Sequence, residues 1–156
     1  MPHTQETLDG MAAEIFELYR LIAIARTRAP TGGEDLSETE FLVLDALTKQ
    51  ESQTIGDVQR TIGVVPAQMS RIVRSLERQG GDAYIECTIN TEDRRRVNLA
   101  LTSVGTEAYN KFKSNRLGSM LAVLQALEPE DRISFMRNLR QIRMAFEERL
   151  NKAPTE

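Results

Sequence analysis

Arginine and polar side chains recur on one face of the segment from residue 66 to residue 78. On a helix at 100° per residue, Arg71 and Arg74 fall opposite the apolar positions, with Gln68 and Ser70 beside them. The apolar stripe consists of Met69, Ile72, Val73 and Leu76. The major groove of DNA admits a helix, and Arg and Gln side chains can form paired hydrogen bonds with base edges. The pattern predicts a DNA-recognition helix, although a basic outer face is also typical of any solvated helix.

A second cluster of arginines follows a predicted turn. Apolar and polar residues alternate over residues 84–89 and again over residues 97–101, and the turn formers Asn-Thr-Glu-Asp lie between them. This arrangement predicts a β-hairpin with the arginines at the start of the returning strand. Cationic side chains there suit the narrow, electronegative minor groove of DNA, or they simply keep a sheet edge soluble. The cluster consists of Arg94, Arg95 and Arg96.

Two capping signals place helices ahead of the basic helix. Ser37 and Glu40 form a capping box before an apolar stripe, and Thr54 and Asp57 form a second, less typical one. Apolar residues at positions 55, 58 and 62 then face inward on a short helix.

The chain turns between this short helix and the basic helix. Gly63 ends the first, and Pro66 suits the first position of the second, where its missing N–H would have no partner. A short helix, a tight turn and a helix with a polar outer face make a helix-turn-helix. The hairpin extends it to a winged helix over residues 37–101.

Long amphipathic helices flank this lobe. The apolar pattern predicts one over residues 6–28, a second capped by Thr102 and running to about residue 127, and a third over residues 129–150. These helices expose more apolar surface than one small domain needs, so either intramolecular packing or a symmetric dimer would bury it. The fold class predicted is mainly α with a small β-hairpin wing, in a single domain over residues 1–156.

Composition limits the classes of function. The chain has 156 residues, of which 40% are hydrophobic and 28% charged, with a net charge of −3. A negative balance argues against a general polyanion coat, so a DNA reader must concentrate its positive charge locally. No secretory signal or membrane span is evident, and one cysteine excludes an intramolecular disulfide. We therefore expect a cytoplasmic protein.

Three stretches together resemble the MarR (multiple antibiotic resistance regulator) family of bacterial transcription factors. They are SETEFLVLDAL, VVPAQMSRIVRSLERQG and, most specifically, TEDRRRVNLALTSVG. The last is similar to the family's wing signature, an Asp-Arg-Arg run followed by an apolar strand and a Leu-Thr-x-x-Gly helix start. The resemblance by motif covers residues 37–105, whereas the flanking helices match by pattern only.

The resemblance implies a homodimer held by residues 6–28 and 103–150. It places Arg94 and Arg95 in or beside the minor groove and assigns Asp93 to steady a neighbouring arginine by ion pairing. It further implies release by a small aromatic or phenolic compound bound between the dimer helices and the DNA-binding lobe. The sequence departs from the family pattern at Gly80–Tyr84, where an apolar residue and an arginine are usual. The wing also looks a few residues longer.

Other reactive residues support no catalytic or metal chemistry. Cys87 alternates with apolar residues, which is typical of a small inert core side chain rather than a peroxide sensor. His3 is the single histidine, so the sequence predicts no metal site, no cofactor and no enzyme. Tyr19, Tyr109 and Met120 could line an effector pocket, although such residues on helix stripes are more often core.

The sequence therefore predicts a homodimeric, sequence-specific DNA-binding regulator, a repressor of a palindromic operator. The alternative is a winged-helix protein-interaction module that has lost operator binding. The unusual Gly80–Tyr84 junction and the negative net charge are the features that favour this alternative.

Overall fold

The computed structural model describes residues 2–28, 36–50, 52–78 and 82–152. Within these ranges the chain forms six helices and three short strands, so the predicted mainly α fold with a small β wing is confirmed. In chain order the elements are α1 (Pro2–Arg28), α2 (Glu38–Thr48), β1 (Gln53–Thr54), α3 (Ile55–Ile62), α4 (Pro66–Arg78), β2 (Ile85–Ile89), β3 (Val97–Leu101), α5 (Ser103–Leu124) and α6 (Pro129–Lys152).

The chain divides into two compact units, one holding α1 and the other holding every later element. Helix α1 begins four residues earlier than predicted, and the large apolar side chains of its stripe are exposed. They include Leu8, Met11, Ile15, Leu18 and Tyr19. None of the described helices is long and apolar enough to cross a membrane.

Local capping fixes the helix boundaries of the second unit. The Glu40 amide donates to Ser37 Oγ at 3.3 Å, and the Ser37 amide donates to the Glu40 carboxylate at 2.7 Å, which confirms the first capping box. Thr54 accepts the Asp57 amide at 3.2 Å before α3. Gly63 ends α3 with a φ of 71°, a left-handed conformation that glycine adopts without a Cβ penalty.

The hairpin is part of a three-stranded antiparallel sheet with the order β1-β3-β2. Strand β1 pairs Gln53 with Leu99, and its two residues are too few to leave a periodic signal in the sequence. On β2, the alternation predicted from the sequence holds at Ile85, which is buried, but Ile89 is 67% exposed. Ile89 pairs with Val97 at the outer end of the hairpin, beyond the reach of the core.

The core of the second unit lies between α2, α3, α4, the sheet and the first half of α5. The stripe predicted for α4 is confirmed, because all four of its apolar residues are buried. The largest fully buried side chains are Leu44, Met69, Leu76, Ile85, Leu99, Val43 and Val58. The face of α4 opposite the stripe is therefore the one that points outward.

The unusual junction ahead of β2 is bonded into the lobe from both sides; Gly80 and Gly81 lie outside the described residues. The Tyr84 amide donates to the Leu76 carbonyl at 2.8 Å, and the Thr102 amide donates to the Tyr84 carbonyl at 3.1 Å. The Thr102 hydroxyl donates to the Ala83 carbonyl at 2.7 Å. A Cβ added to Gly105 would lie 1.9 Å from the Tyr84 carbonyl oxygen. The first turn of α5 therefore needs glycine there.

Helices α5 and α6 extend from this lobe. Tyr109 and Phe112 in the first half of α5 are buried, whereas the apolar side chains of its second half are exposed. Every described residue of α6 is exposed, including the inward-facing positions expected from the sequence. These exposed side chains include Ile133, Met136, Leu139, Ile142 and Phe146.

Candidate nucleic-acid interface

Helix α4 presents the predicted contact residues on its outer face. Its first turn is closed by the Val65 carbonyl, which accepts the amides of Gln68 and Met69, both at 3.0 Å. The four predicted side chains on this helix are all exposed: Gln68, Ser70, Arg71 and Arg74. Because the opposite face is buried, the helix is held rigidly while this polar surface stays accessible to a ligand.

The arginine cluster lies in a loop that its own side chains organise. Asn90 Oδ1 accepts the amides of Glu92 and Asp93, both at 2.9 Å, in an Asx turn. The Asn90 amide donates to the Arg96 carbonyl at 2.9 Å and closes the loop. The three arginines therefore precede β3, which begins at Val97, instead of starting the strand as predicted. The Asx turn uses the backbone groups that a longer ladder would have paired.

Asp93 braces this loop through the backbone. Its Oδ1 accepts the Arg95 amide at 3.0 Å, and its carbonyl accepts the Arg96 amide at 2.9 Å. The ion pair expected between Asp93 and a neighbouring arginine stays a prediction. Arg94, Arg95 and Arg96 are all exposed around this brace.

Arg96 also faces a carboxylate of the helix-turn-helix. Its Nη2 lies 3.8 Å from Asp57 Oδ1, and the two side chains are 49% and 39% exposed. The hydrogen bond from the Thr54 hydroxyl is the main reason that the pKa of Asp57 lies below its ordinary value; burial opposes it, and the hydrogen bond from Arg60 adds to the lowering. The wing loop is thus tied electrostatically to the first turn of α3. The sequence marked Asp57 as a capping residue, but nothing in its pattern indicated the contact with Arg96.

Cys87 on β2 is half-buried, as its place among alternating apolar residues predicts. Burial, with Glu77 beside it, raises the pKa of the Cys87 thiol to about 12, so the thiol is protonated at neutral pH. No group of three or more His, Cys, Asp or Glu side chains in the described ranges could hold a metal ion.

The three residues considered for an effector pocket have different surroundings. Tyr109 is 6% exposed and belongs to the core between α2 and α5, as its place on an apolar stripe suggests. Met120 is exposed and lies eleven residues further along α5, about 16 Å at 1.5 Å per residue. Tyr19 lies in the other compact unit.

Comparison with known proteins adds a family and a shared fold. Residues 36–97, from two residues before α2 to the first residue of β3, match the sequence model of the MarR family. No curated protein sequence matches the chain significantly. YusO from Bacillus subtilis has a similar structure, with a TM-score of 0.71 and 21% identity over 88% of this chain and 97% of YusO.

Two further structures are similar over nearly the whole chain. FabT from Streptococcus pneumoniae, determined in complex with DNA, has a TM-score of 0.67 and 22% identity over 92% of this chain and 97% of its own. BpsR from Bordetella bronchiseptica, whose DNA binding is regulated by 6-hydroxynicotinic acid, has a TM-score of 0.60 and 18% identity over 85% of this chain and 98% of its own.

The family match and the shared fold complement each other. The match spans the helix-turn-helix and the wing loop, and the likeness of fold extends to the flanking helices. The proteins of this family are transcription regulators and not enzymes. Over residues 36–97 the chain is similar to the MarR family, and over most of its length it has the same fold as the three structures above.

Proposed function

We propose that this protein is a MarR-type transcriptional repressor that binds a palindromic operator as a homodimer. The observation that carries the proposal is the pairing, on one lobe, of a recognition helix with an exposed polar face and a braced loop bearing three exposed arginines. Winged-helix proteins read DNA with two such elements, a helix in the major groove and a wing beside it. We place its site of action in the cytoplasm, beside the chromosome.

The proposal gives each predicted residue a role. Gln68, Ser70, Arg71 and Arg74 contact base edges and phosphates in the major groove. The side chains of Arg94 and Arg95 enter or line the minor groove, and Arg96 contacts phosphate or anchors the wing to Asp57. Asp93 keeps the loop in shape through the Arg95 amide.

The homodimer is supported by the exposed apolar surface at the two ends of the chain. Large apolar side chains are exposed on α1, on the second half of α5 and along α6, and exposed apolar patches mark interaction sites. A two-fold dimer buries the same surface on both copies and presents two recognition helices about one DNA turn apart. An operator with two-fold symmetry follows from that geometry.

An effector is supported by the likeness to ligand-regulated proteins. BpsR is regulated by 6-hydroxynicotinic acid, and PcaV from Streptomyces coelicolor was determined with its natural ligand. We propose that a small aromatic or phenolic compound releases this protein from DNA.

Selection from a pool of random DNA duplexes tests the proposal directly. The full-length protein should enrich an inverted repeat, and its affinity for that repeat should fall steeply with salt because several phosphate contacts release counterions. A pool that shows no enrichment at low salt would contradict operator binding and favour the protein-interaction module. The hydrogen bonds of Ala83 and Tyr84 with the lobe support an ordered wing and so favour operator binding over that alternative.

A further inference from the structure

Three aromatic rings lie where α2 of the DNA-binding lobe packs against the first half of α5. We call this contact between the two helices the joint. Phe41 on α2 stacks on Tyr109 with the ring centroids 5.3 Å apart and the planes 6° from parallel. The same ring stacks on Phe112, with centroids 4.6 Å apart and planes 22° from parallel. Stacked rings of this kind fix the mutual orientation of two helices more narrowly than aliphatic packing does.

A partly buried hydrogen bond connects α2 and α5 at the same place. The Tyr109 hydroxyl donates to Asp45 Oδ1 on α2 at 2.9 Å, although the two residues are 64 positions apart in the chain. Lys49 Nζ lies 3.1 Å from Asp45 Oδ2, and Lys113 Nζ donates to the Tyr109 hydroxyl oxygen at 3.3 Å. Burial alone would raise the pKa of Asp45, but the hydrogen bonds from Lys49 and Tyr109 and the charge of Lys113 lower it overall. Asp45 is therefore ionised as the acceptor.

An ion pair closes the joint one turn further along α5. Arg116 Nη2 lies 3.0 Å from Glu38 Oε1 in the first turn of α2, and its guanidinium group lies 4.7 Å from the Phe112 ring centroid. The joint thus spans α2 from its first turn to its end. Beyond Arg116 the large apolar side chains of α5 (Leu117, Met120, Leu121 and Val123) are exposed.

We infer that Tyr109 and Asp45 are positioning residues that set the half-site spacing the dimer accepts. The inference rests on the proposed function, because it requires a dimer whose interface lies on the distal helices. The end of α5 lies about 20 Å along the helix from Tyr109. A rotation of about 10° at the joint moves that end by about 3.5 Å, close to one base-pair step of DNA. Without the hydrogen bond from Tyr109 to Asp45, the angle between α2 and α5 is less restricted. Each recognition helix can then reach a half-site that lies one base pair nearer or further away.

The test measures binding of the full-length protein to operators of different spacing. The starting operator is the inverted repeat that the wild-type protein selects, and one base pair is added or removed at its centre. We expect the wild-type protein to prefer its own spacing by about tenfold or more, because misplaced half-sites cannot be engaged together. Tyr109→Phe removes one oxygen atom and leaves the ring stack, and should reduce that preference at least threefold.

Two control variants separate positioning from stability. Asp45→Asn keeps an oxygen acceptor for the Tyr109 hydroxyl and should retain the wild-type preference, whereas Thr106→Val removes an exposed hydroxyl elsewhere on α5 and should change nothing. A Tyr109→Phe variant that binds every spacing more weakly but with an unchanged ratio would overturn the inference while leaving the proposed function intact. A wild-type protein that selects no inverted repeat would overturn both.

Discussion

At the scale of single residues, the three wing arginines have different surroundings. Arg94 and Arg95 are exposed on a loop braced by Asp93, whereas the Arg96 side chain faces Asp57 at 3.8 Å. An ion pair between half-exposed groups contributes little to stability, so its effect here is on the direction of the side chain. Proximity to Asp57 also lowers the attraction that Arg96 can offer to a phosphate group.

Substitution of the wing arginines should therefore produce graded effects on operator binding. Arg94→Ala and Arg95→Ala should each weaken binding by about 1–3 kcal/mol where a base is read, and by less for a phosphate contact alone. Arg96→Ala should weaken binding less than either. Fluorescence anisotropy at fixed salt measures these affinities, and Lys111→Ala on α5 controls for the loss of one positive charge. Equal effects of all four substitutions would contradict the wing assignment.

The Cys87 thiol should react slowly in the native protein. Its pKa of about 12 in the fold leaves almost no thiolate at pH 8.5, whereas an unfolded cysteine, with a pKa of about 8.5, is about half ionised there. Alkylation by iodoacetamide should be far slower in buffer than in concentrated urea at the same pH. Equal rates would show that burial does not protect the thiol and would reopen a redox role.

The raised pKa of Cys87 also makes the free energy of unfolding depend on pH in alkali. Because the folded pKa is raised, the protonated thiol contributes its full stabilisation below the unfolded value of about 8.5. That contribution is lost as the pH rises towards about 12, the folded value. The difference in the free energy of unfolding between the wild type and Cys87→Ala should shift against the wild type over this range.

At the scale of elements, the wing and α5 are joined by a close backbone approach. The first turn of α5 can lie against Tyr84 because residue 105 has no side chain. The contact holds the junction before β2 at the position where Thr102 bonds to Ala83 and Tyr84. The Leu-Thr-x-x-Gly pattern therefore has a structural reason in this chain.

Gly105→Ala should destabilise the protein substantially. Its Cβ would meet the Tyr84 carbonyl oxygen at 1.9 Å, so either α5 or the junction must move. We expect the free energy of unfolding to fall by about 1–3 kcal/mol in urea titrations. Gly56→Ala is the matched control, because its Cβ meets nothing within 4 Å and alanine favours a helix. A Gly105→Ala variant as stable as the wild type would contradict the close approach.

At the scale of the whole molecule, α6 is a helix whose described residues are all exposed within one copy of the chain. Leu139 and Ile142 are 45% and 42% exposed although they lie on the stripe expected to face inward. The lobe that carries α4 and the wing has its own core and does not depend on these side chains. A change in α6 can therefore separate assembly from folding.

Leu139→Glu/Ile142→Glu should convert the proposed dimer into a folded monomer. Charged groups cannot be buried between two copies without partners, so association should be lost while the lobe keeps its thermal transition. Operator affinity should fall by about 100-fold or more because the two half-sites are no longer bound by one particle. Sedimentation velocity measures the mass, with Asn138→Glu/Gln141→Glu as the charge-matched control. An unchanged sedimentation coefficient would exclude α6 from the interface.

The sequence by itself determined the helices, their caps and the candidate contact residues, because those features depend on neighbours three or four positions apart. The Ser37 box, the left-handed Gly63 and the buried stripe of α4 all follow local rules. Tertiary structure alone decided the contacts between distant residues: the pairing of β1 with β3, the approach of Arg96 to Asp57 and the bond from Tyr109 to Asp45. Such contacts depend on how the elements pack in space, and no spacing along the chain records that packing.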